Sequence, residues 1–192
     1  MIIYGDRSSG NCLKVKYTAD FLGLNYRWID IDIMKRESRT PEFLARNPQG
    51  QVPTIELDDG RHLAQSNAII RYIARNSTLM PRDPFDQATV DEWLFWEQYS
   101  HEPYIAVCRF QMVYLKKKKE DRDPNRVERA ETALDLMENV LSGRSWFAGL
   151  QMSVADISLL AYTRLAHEGG FDLSNRPNLV GWINRCEKAL KL

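Results

Sequence analysis

At 192 residues the chain can bury a real core as one domain or as two small ones, so length alone does not set the domain count. Its 26 Lys and Arg balance 26 Asp and Glu, and the resulting net charge of zero removes the electrostatic case for nucleic acid or an anionic membrane as the main partner. A small-molecule site is favoured instead. Asp6 and Arg7 interrupt the N-terminus before a signal-type apolar region forms, and no later run is long and apolar enough to span a bilayer, so a soluble, cytoplasmic protein is expected. Cys12, Cys108 and Cys186 lie far apart, with no metal-ligand spacing beside three histidines, which predicts free thiols and no metal.

The first 77 residues alternate strand-like and helix-like patterns. Ile2–Tyr4 reads as a short strand. Cys12, Val15, Ala19 and Leu22 then recur at helical spacing until Gly23, and Tyr26–Ile31 alternates like a second strand, which makes a βαβ unit. Thr40-Pro41-Glu42 has the cap, the proline and the early acid of a helix start, predicting a short helix over Pro41–Arg46. Thr54–Leu57 and Arg61–Leu63 flank Asp58-Asp59-Gly60 as an antiparallel hairpin, and Asn67–Ala74 is a closing helix. The order β-α-β-α-β-β-α is that of a thioredoxin-like domain.

Two prolines between Met80 and Phe85 break the pattern, giving a linker over residues 78–86. Residues 87–192 read as all-helical, so the fold class is α/β followed by all-α, a thioredoxin-like domain with a C-terminal helical bundle. A long helix starting near Gln87 buries Ile105, Cys108, Met112 and Leu115, and a second buries Ala130, Leu134, Met137 and Leu141. Val154, Ile157, Ala161 and Leu165 mark a third, opened by the capping box Ser153-x-x-Asp156. Leu179, Trp182, Cys186 and Leu190 mark a fourth. The charge-dense stretch Lys116–Asn125 is expected to be a mobile helix end and solvated loop.

The most informative residues are Gly50-Gln51-Val52-Pro53-Thr54-Ile55 and Gln65-Ser66-Asn67-Ala68-Ile69. A Val52-Pro53 bond in the cis form lets Val52 turn its N–H and C=O toward a ligand rather than its sheet. Ser66, at the first turn of a helix, offers a hydroxyl and unpaired N–H groups to a carboxylate. A short peptide with a free carboxylate fits both elements.

These motifs, with the strand Ile2–Tyr4, Asn47-Pro48-Gln49-Gly50 and Ser153-Val154-Ala155-Asp156-Ile157, make the chain resemble the cytosolic glutathione S-transferases. The resemblance covers nearly the whole chain. It implies a glutathione-binding domain over residues 1–77 and an electrophile pocket formed with the helical domain. Val52, before the cis-proline Pro53, would pair with the cysteinyl unit of glutathione. Gln65 and Ser66 would hold the γ-glutamyl carboxylate, and Gln51 would reach the glycyl end. Many relatives carry Lys in place of Gln51 and Glu in place of Gln65, so both charged contacts soften here to neutral hydrogen bonds, and Arg39 is a candidate to restore a charge. Register with bacterial theta-like and nu-like classes places Ser9 at the activating hydroxyl and Asn11 at its supporting amide, with Ser8, one residue away, as the alternative.

A thiol with a pKa of about 8.5 becomes acidic when donors at a helix N-terminus bind its charged form. The same Ser9 and Asn11 also read as plain helix caps. Cys12 completes Ser9-Gly10-Asn11-Cys12, a C-x-x-C spacing with serine first, and has both a redox reading and a buried, inert one. On the long helix Tyr104 and Arg109 are candidates for the electrophile side, and the other aromatics are core or homodimer contacts. The implied activity is a glutathione transferase acting on small hydrophobic electrophiles or disulfides. The alternatives are a glutathione-dependent disulfide reductase or peroxidase and a non-catalytic binding module.

Overall fold

In the computed structural model, which describes residues 1–192, the first strand β1 (Ile2–Gly5) leads into helix α1 (Gly10–Phe21) and strand β2 (Arg27–Asp30). Gly23, at φ 63°, ends α1 as an L-residue would not: its N–H donates to Asp20 O and that of Leu24 to Ala19 O, which satisfies the last carbonyls. The 3-10 turn Glu37–Arg39 precedes helix α2 (Pro41–Arg46), where Thr40 Oγ1 accepts the Phe43 N–H at 3.3 Å. Strands β3 (Thr54–Glu56) and β4 (His62–Ala64) form the hairpin, and helix α3 (Ser66–Ala74) follows. The sheet order is β2-β1-β3-β4, with β1 parallel to β2 and antiparallel to β3. Ile3, Ile55, Ile69, Ile70 and the Cys12, Val15, Ala19 face of α1 are fully buried. This mixed sheet with its helices is the thioredoxin-like arrangement.

The chain divides into two compact units, Met1–Ser77 and Thr78–Leu192. In the second, helix α4 (Pro84–Trp96) starts three residues before Gln87, because Asp83 Oδ1 accepts the N–H groups of Phe85 and Asp86 at 2.9 and 3.0 Å. The long helix is not continuous. A π-helical turn over Glu97–His101 separates α4 from α5 (Glu102–Val113), just where Pro103 supplies no N–H to the preceding turn. Leu115, expected on the same buried face, falls beyond α5 and is 46% exposed.

Helix α6 (Pro124–Leu141) begins on the Asp123 cap. In the preceding charged stretch one cation reaches a distant segment. Arg122 donates to Gly169 O at 2.9 Å and to Lys119 O at 3.0 Å, and its guanidinium lies over the Phe171 ring. Helices α7 (Val154–Thr163) and α8 (Pro177–Leu190) complete the unit. At the start of α7 the Asp156 carboxylate accepts from Ser153 N and Oγ, from Phe147 N and from Trp182 Nε1, all within 3.1 Å. Phe147 meets Trp182 edge-on with centroids 5.1 Å apart, so this buried acid ties the start of α7 to α8 and to the segment before it. No helix is long and apolar enough to cross a membrane.

Candidate active site

At the start of α1, Ser9 separates the two parts of a helix cap. It is the N-cap by backbone conformation, with extended φ/ψ and its C=O accepting the Leu13 N–H at 2.9 Å, yet its side chain makes no capping bond. Thr40, Asp83, Asp123 and Ser153 all cap their helices through the side chain. The loop before α1 is instead pinned by its own groups. Cys12 Sγ accepts the Asp6 N–H at 3.3 Å, Asp6 Oδ1 accepts the Ser8 N–H at 2.8 Å, and Asp6 O accepts the Ser9 N–H at 3.0 Å. Outside it, Arg7 lies over the Trp28 ring and pairs with Asp30. Gly5 is required here, since a Cβ would meet Trp28 at 2.8 Å. The Ser9 hydroxyl hydrogen-bonds the Cys12 thiol instead of capping the helix.

Cys12 itself is fully buried, and burial pushes its thiol up to about 12. Redox exchange needs an accessible thiolate; in this fold the buried Cys12 braces the loop by accepting the Asp6 N–H.

The second element is the loop before β3. The Val52-Pro53 bond is cis, and no hydrogen bond within the protein engages the N–H or C=O of Val52. Asn47 shapes this loop from inside. Its amide donates to Gln51 O at 2.9 Å and to Thr54 Oγ1 at 3.1 Å, and its oxygen accepts the Gln49 N–H at 3.1 Å. Arg39 Nη1 donates to Gln49 O at 2.9 Å, and Gly50, at φ 61°, leaves room for that guanidinium. The third element is the start of α3. Gln65 holds φ 68°, an uncommon conformation for a residue with a side chain. Its Nε2 donates to Gln49 Oε1 at 2.7 Å and lies 3.4 Å from Gln51 Oε1. Ser66 does not cap α3; its Oγ donates to Asn11 Oδ1 at 3.1 Å. Asn11 thus links the starts of α1 and α3, and Gln65 links α3 to the cis-proline loop.

Residues 8–76 match the model of the glutathione S-transferase N-terminal domain, and residues 93–189 that of the C-terminal domain. This chain belongs to the glutathione S-transferase family. A glutathione S-transferase of Pseudomonas fluorescens Pf-5 has a crystal structure that superposes with a TM-score of 0.94 at 45% identity, covering 97% of this chain and 94% of that one. One from Xanthobacter autotrophicus Py2 gives 0.92 at 39% identity over 97% and 92% of the two chains. Glutathione S-transferase D6 of Drosophila melanogaster is 29% identical over 192 residues, 98% of this chain and 87% of that protein.

In this transferase the site candidates Ser9, Asn11, Gln51, Val52, Pro53, Gln65 and Ser66 come from three segments that Asn11 and Gln65 join, with Arg39 bracing the proline loop. Sequence reasoning missed Asn47, the buried organiser of the loop, and Gln49, which completes the amide cluster. Asn47-Pro48-Gln49-Gly50 carried the signal, as an Asn before a turn able to bond its own backbone. The two candidates on α5 differ from each other. Tyr104 presents its ring to Arg129, 5.7 Å from the guanidinium carbon. Arg109 has a side chain only 7% exposed and pairs with Glu168 at 2.6 Å within the helical unit.

Proposed function

We propose that this glutathione S-transferase binds glutathione along the cis-proline loop and the start of α3, and ionises its thiol at the start of α1 for attack on an electrophilic carbon or a disulfide sulfur. The observation that carries the reading is the convergence of three segments far apart in sequence through the Asn11–Ser66 and Gln65–Gln49 hydrogen bonds. In this reading the exposed N–H and C=O of Val52 form the antiparallel pair with the cysteinyl unit. The N–H groups opening α3, with Gln65 and Ser66, take the γ-glutamyl carboxylate, favoured by the helix dipole. Gln51, with Arg39 behind it, faces the glycyl end. Ser9, supported by Asn11, donates to the thiolate, as in a theta-like or nu-like serine/asparagine site.

Catalysis follows from stabilising the charged sulfur and holding it, with the thiol proton passing to solvent and no covalent enzyme intermediate. The buried Cys12 takes no part in bond exchange. Attack on a disulfide would form a mixed disulfide with glutathione and expel the other half as a thiolate, and that reaction needs only the bound glutathione. Free, buried cysteines suit a reducing compartment, and the cytoplasm is the proposed location. A stripe on α4 and the π-helical turn leaves Phe85, Phe95 and Tyr99 at 78, 75 and 83% exposure, more apolar surface than a monomer ordinarily presents along one helix face. A homodimer would cover it.

The test is an ultraviolet titration of the glutathione thiolate in the presence of the protein. Thiolate absorbance well below the free thiol's pKa of about 8.5 supports activation. Binding with an unshifted thiol would make this a binding module.

A further inference from the structure

Where α6 ends and α8 begins, the helical unit holds a cavity of about 350 Å³ that uses none of the residues assigned to glutathione. One wall is the turn over residues 141–145, and the other is the opening of α8 together with Arg185. The only charged side chains lining it are Arg144 and Arg185.

Neither arginine has a carboxylate partner. An arginine just past a helix end ordinarily donates to the last carbonyls. Arg144 makes no hydrogen bond or ion pair. Ser142 does the capping instead, setting its N–H at 3.2 Å and its hydroxyl at 2.7 Å on Asn139 O. Arg185 is held by neutral groups: its Nη2 donates to Ser145 O at 3.2 Å, and its guanidinium carbon lies 6.0 Å from the Trp146 ring centroid. These contacts orient the guanidinium fork and leave its charge uncompensated. Asn178, on the same wall, turns the other way. Its N–H and its amide donate to Glu138 Oε1 at 3.2 and 2.7 Å, and the Leu179 N–H donates to Glu138 Oε2 at 2.7 Å. That carboxylate therefore serves the start of α8, and the arginines remain the cavity's unmatched charge.

The cavity is also kept open against helix propensity. Gly181 lies inside α8, and apart from proline glycine is the poorest helix former. Packing does not require it, since a Cβ there would approach nothing closer than Arg185 Nη1 at 3.5 Å, an ordinary contact. A Cβ on Gly143, in the facing wall, would meet nothing within 4 Å. What a side chain at 181 would cover is the guanidinium of Arg185.

We infer that this cavity is an anion-binding site for a small organic dianion, a phosphate ester or a dicarboxylate, held by Arg144 from the turn after α6 and by Arg185 from α8. Guanidinium groups bind phosphoryl and carboxylate oxygens through the same paired N–H donors, so both ligand types share this chemistry.

The experiment is isothermal titration of the full chain with glycerol 3-phosphate and with succinate, in low-salt buffer free of phosphate. Saturable binding at one site per chain is expected for at least one probe. Binding of the ester alone assigns the phosphoryl group, and binding of succinate alone assigns the carboxylate pair. Arg144→Gln and Arg185→Gln are each expected to weaken binding by about fivefold, the scale of one guanidinium–anion pair at an open site. Gly181→Leu fills the cavity and is expected to abolish binding without lowering Tm. Arg144 makes no contact that folding would miss, so its variant tests the site even if the others fold poorly. Absence of saturable heat with both probes, or binding that Arg144→Gln leaves unchanged, would overturn the inference.

Discussion

Replacing Ser9 by Ala separates an activating hydroxyl from a helix cap. Loss of an ordinary serine N-cap costs about 1 kcal/mol. Here the side chain makes no capping bond and only contacts the Cys12 thiol, so the stability loss should stay below about 0.5 kcal/mol, a shift of only about 1–2 °C in Tm for a chain of this size. The effect on bound glutathione is larger. A hydrogen bond to a charged group is worth about 1.5–3 kcal/mol, and the diffuse charge of sulfur argues for the lower end, hence a rise of about one unit in the thiol's pKa. A less acidic thiol is also a better nucleophile once ionised, with a Brønsted slope of about 0.4–0.5, so the two consequences oppose each other. At pH below both pKa values kcat/KM for the variant should fall by about threefold. Above both it should match or exceed the wild type by up to about threefold. The assay is kcat/KM against pH with one electrophile, beside thermal melts of both proteins. A uniform loss at every pH, together with a Tm drop of the size of a lost cap, would refute the argument and return Ser9 to helix capping.

Three further outcomes follow from the structure. Because Cys12, Cys108 and Cys186 are all buried, and burial raises each thiol, an alkylating reagent at pH 8 should leave the native protein unmodified by mass and label all three after denaturation; rapid native labelling of Cys12 would support its redox reading. Asp156→Ala strips the acceptor from three N–H donors and one hydroxyl in a buried place, so urea unfolding of the helical unit should show a loss of at least about 4 kcal/mol, and a loss under 1 kcal/mol would contradict the role given to this carboxylate. Phe95→Glu puts a charge in the exposed aromatic stripe and should convert a dimer to a monomer in sedimentation at micromolar concentration, whereas a wild-type monomer under those conditions would remove the dimer proposal.

Much of this architecture is local and therefore legible in the residues. The helix start at Thr40-Pro41, the stop at Gly23 and the capping box Ser153-x-x-Asp156 each act within one turn of backbone, and all three occur where the pattern puts them. The alternation of apolar residues sets which faces of α1 and α8 are buried, because burial follows a fixed period. The break in the long helix at Glu97–His101 also has a local cause, since Pro103 withholds its N–H from the preceding turn wherever it stands.

What tertiary structure alone decided are the relations between distant residues. Ser9, Thr40, Ser66 and Ser153 have the same chemistry in the sequence, and all four stand at helix starts. Only Thr40 and Ser153 spend their hydroxyls on capping their own helices; Ser66 bonds to Asn11, and Ser9 turns to the Cys12 thiol. Likewise residue type and position could not show that Cys12 would be fully buried or that Arg109 would pair with Glu168, 59 residues away. Composition cannot show that Arg122 would find Gly169 O and Phe171. Local backbone geometry follows from neighbours along the chain, whereas a hydrogen-bond partner or a low-dielectric surrounding comes from whichever segment packs alongside, and that is known only once the chain has folded.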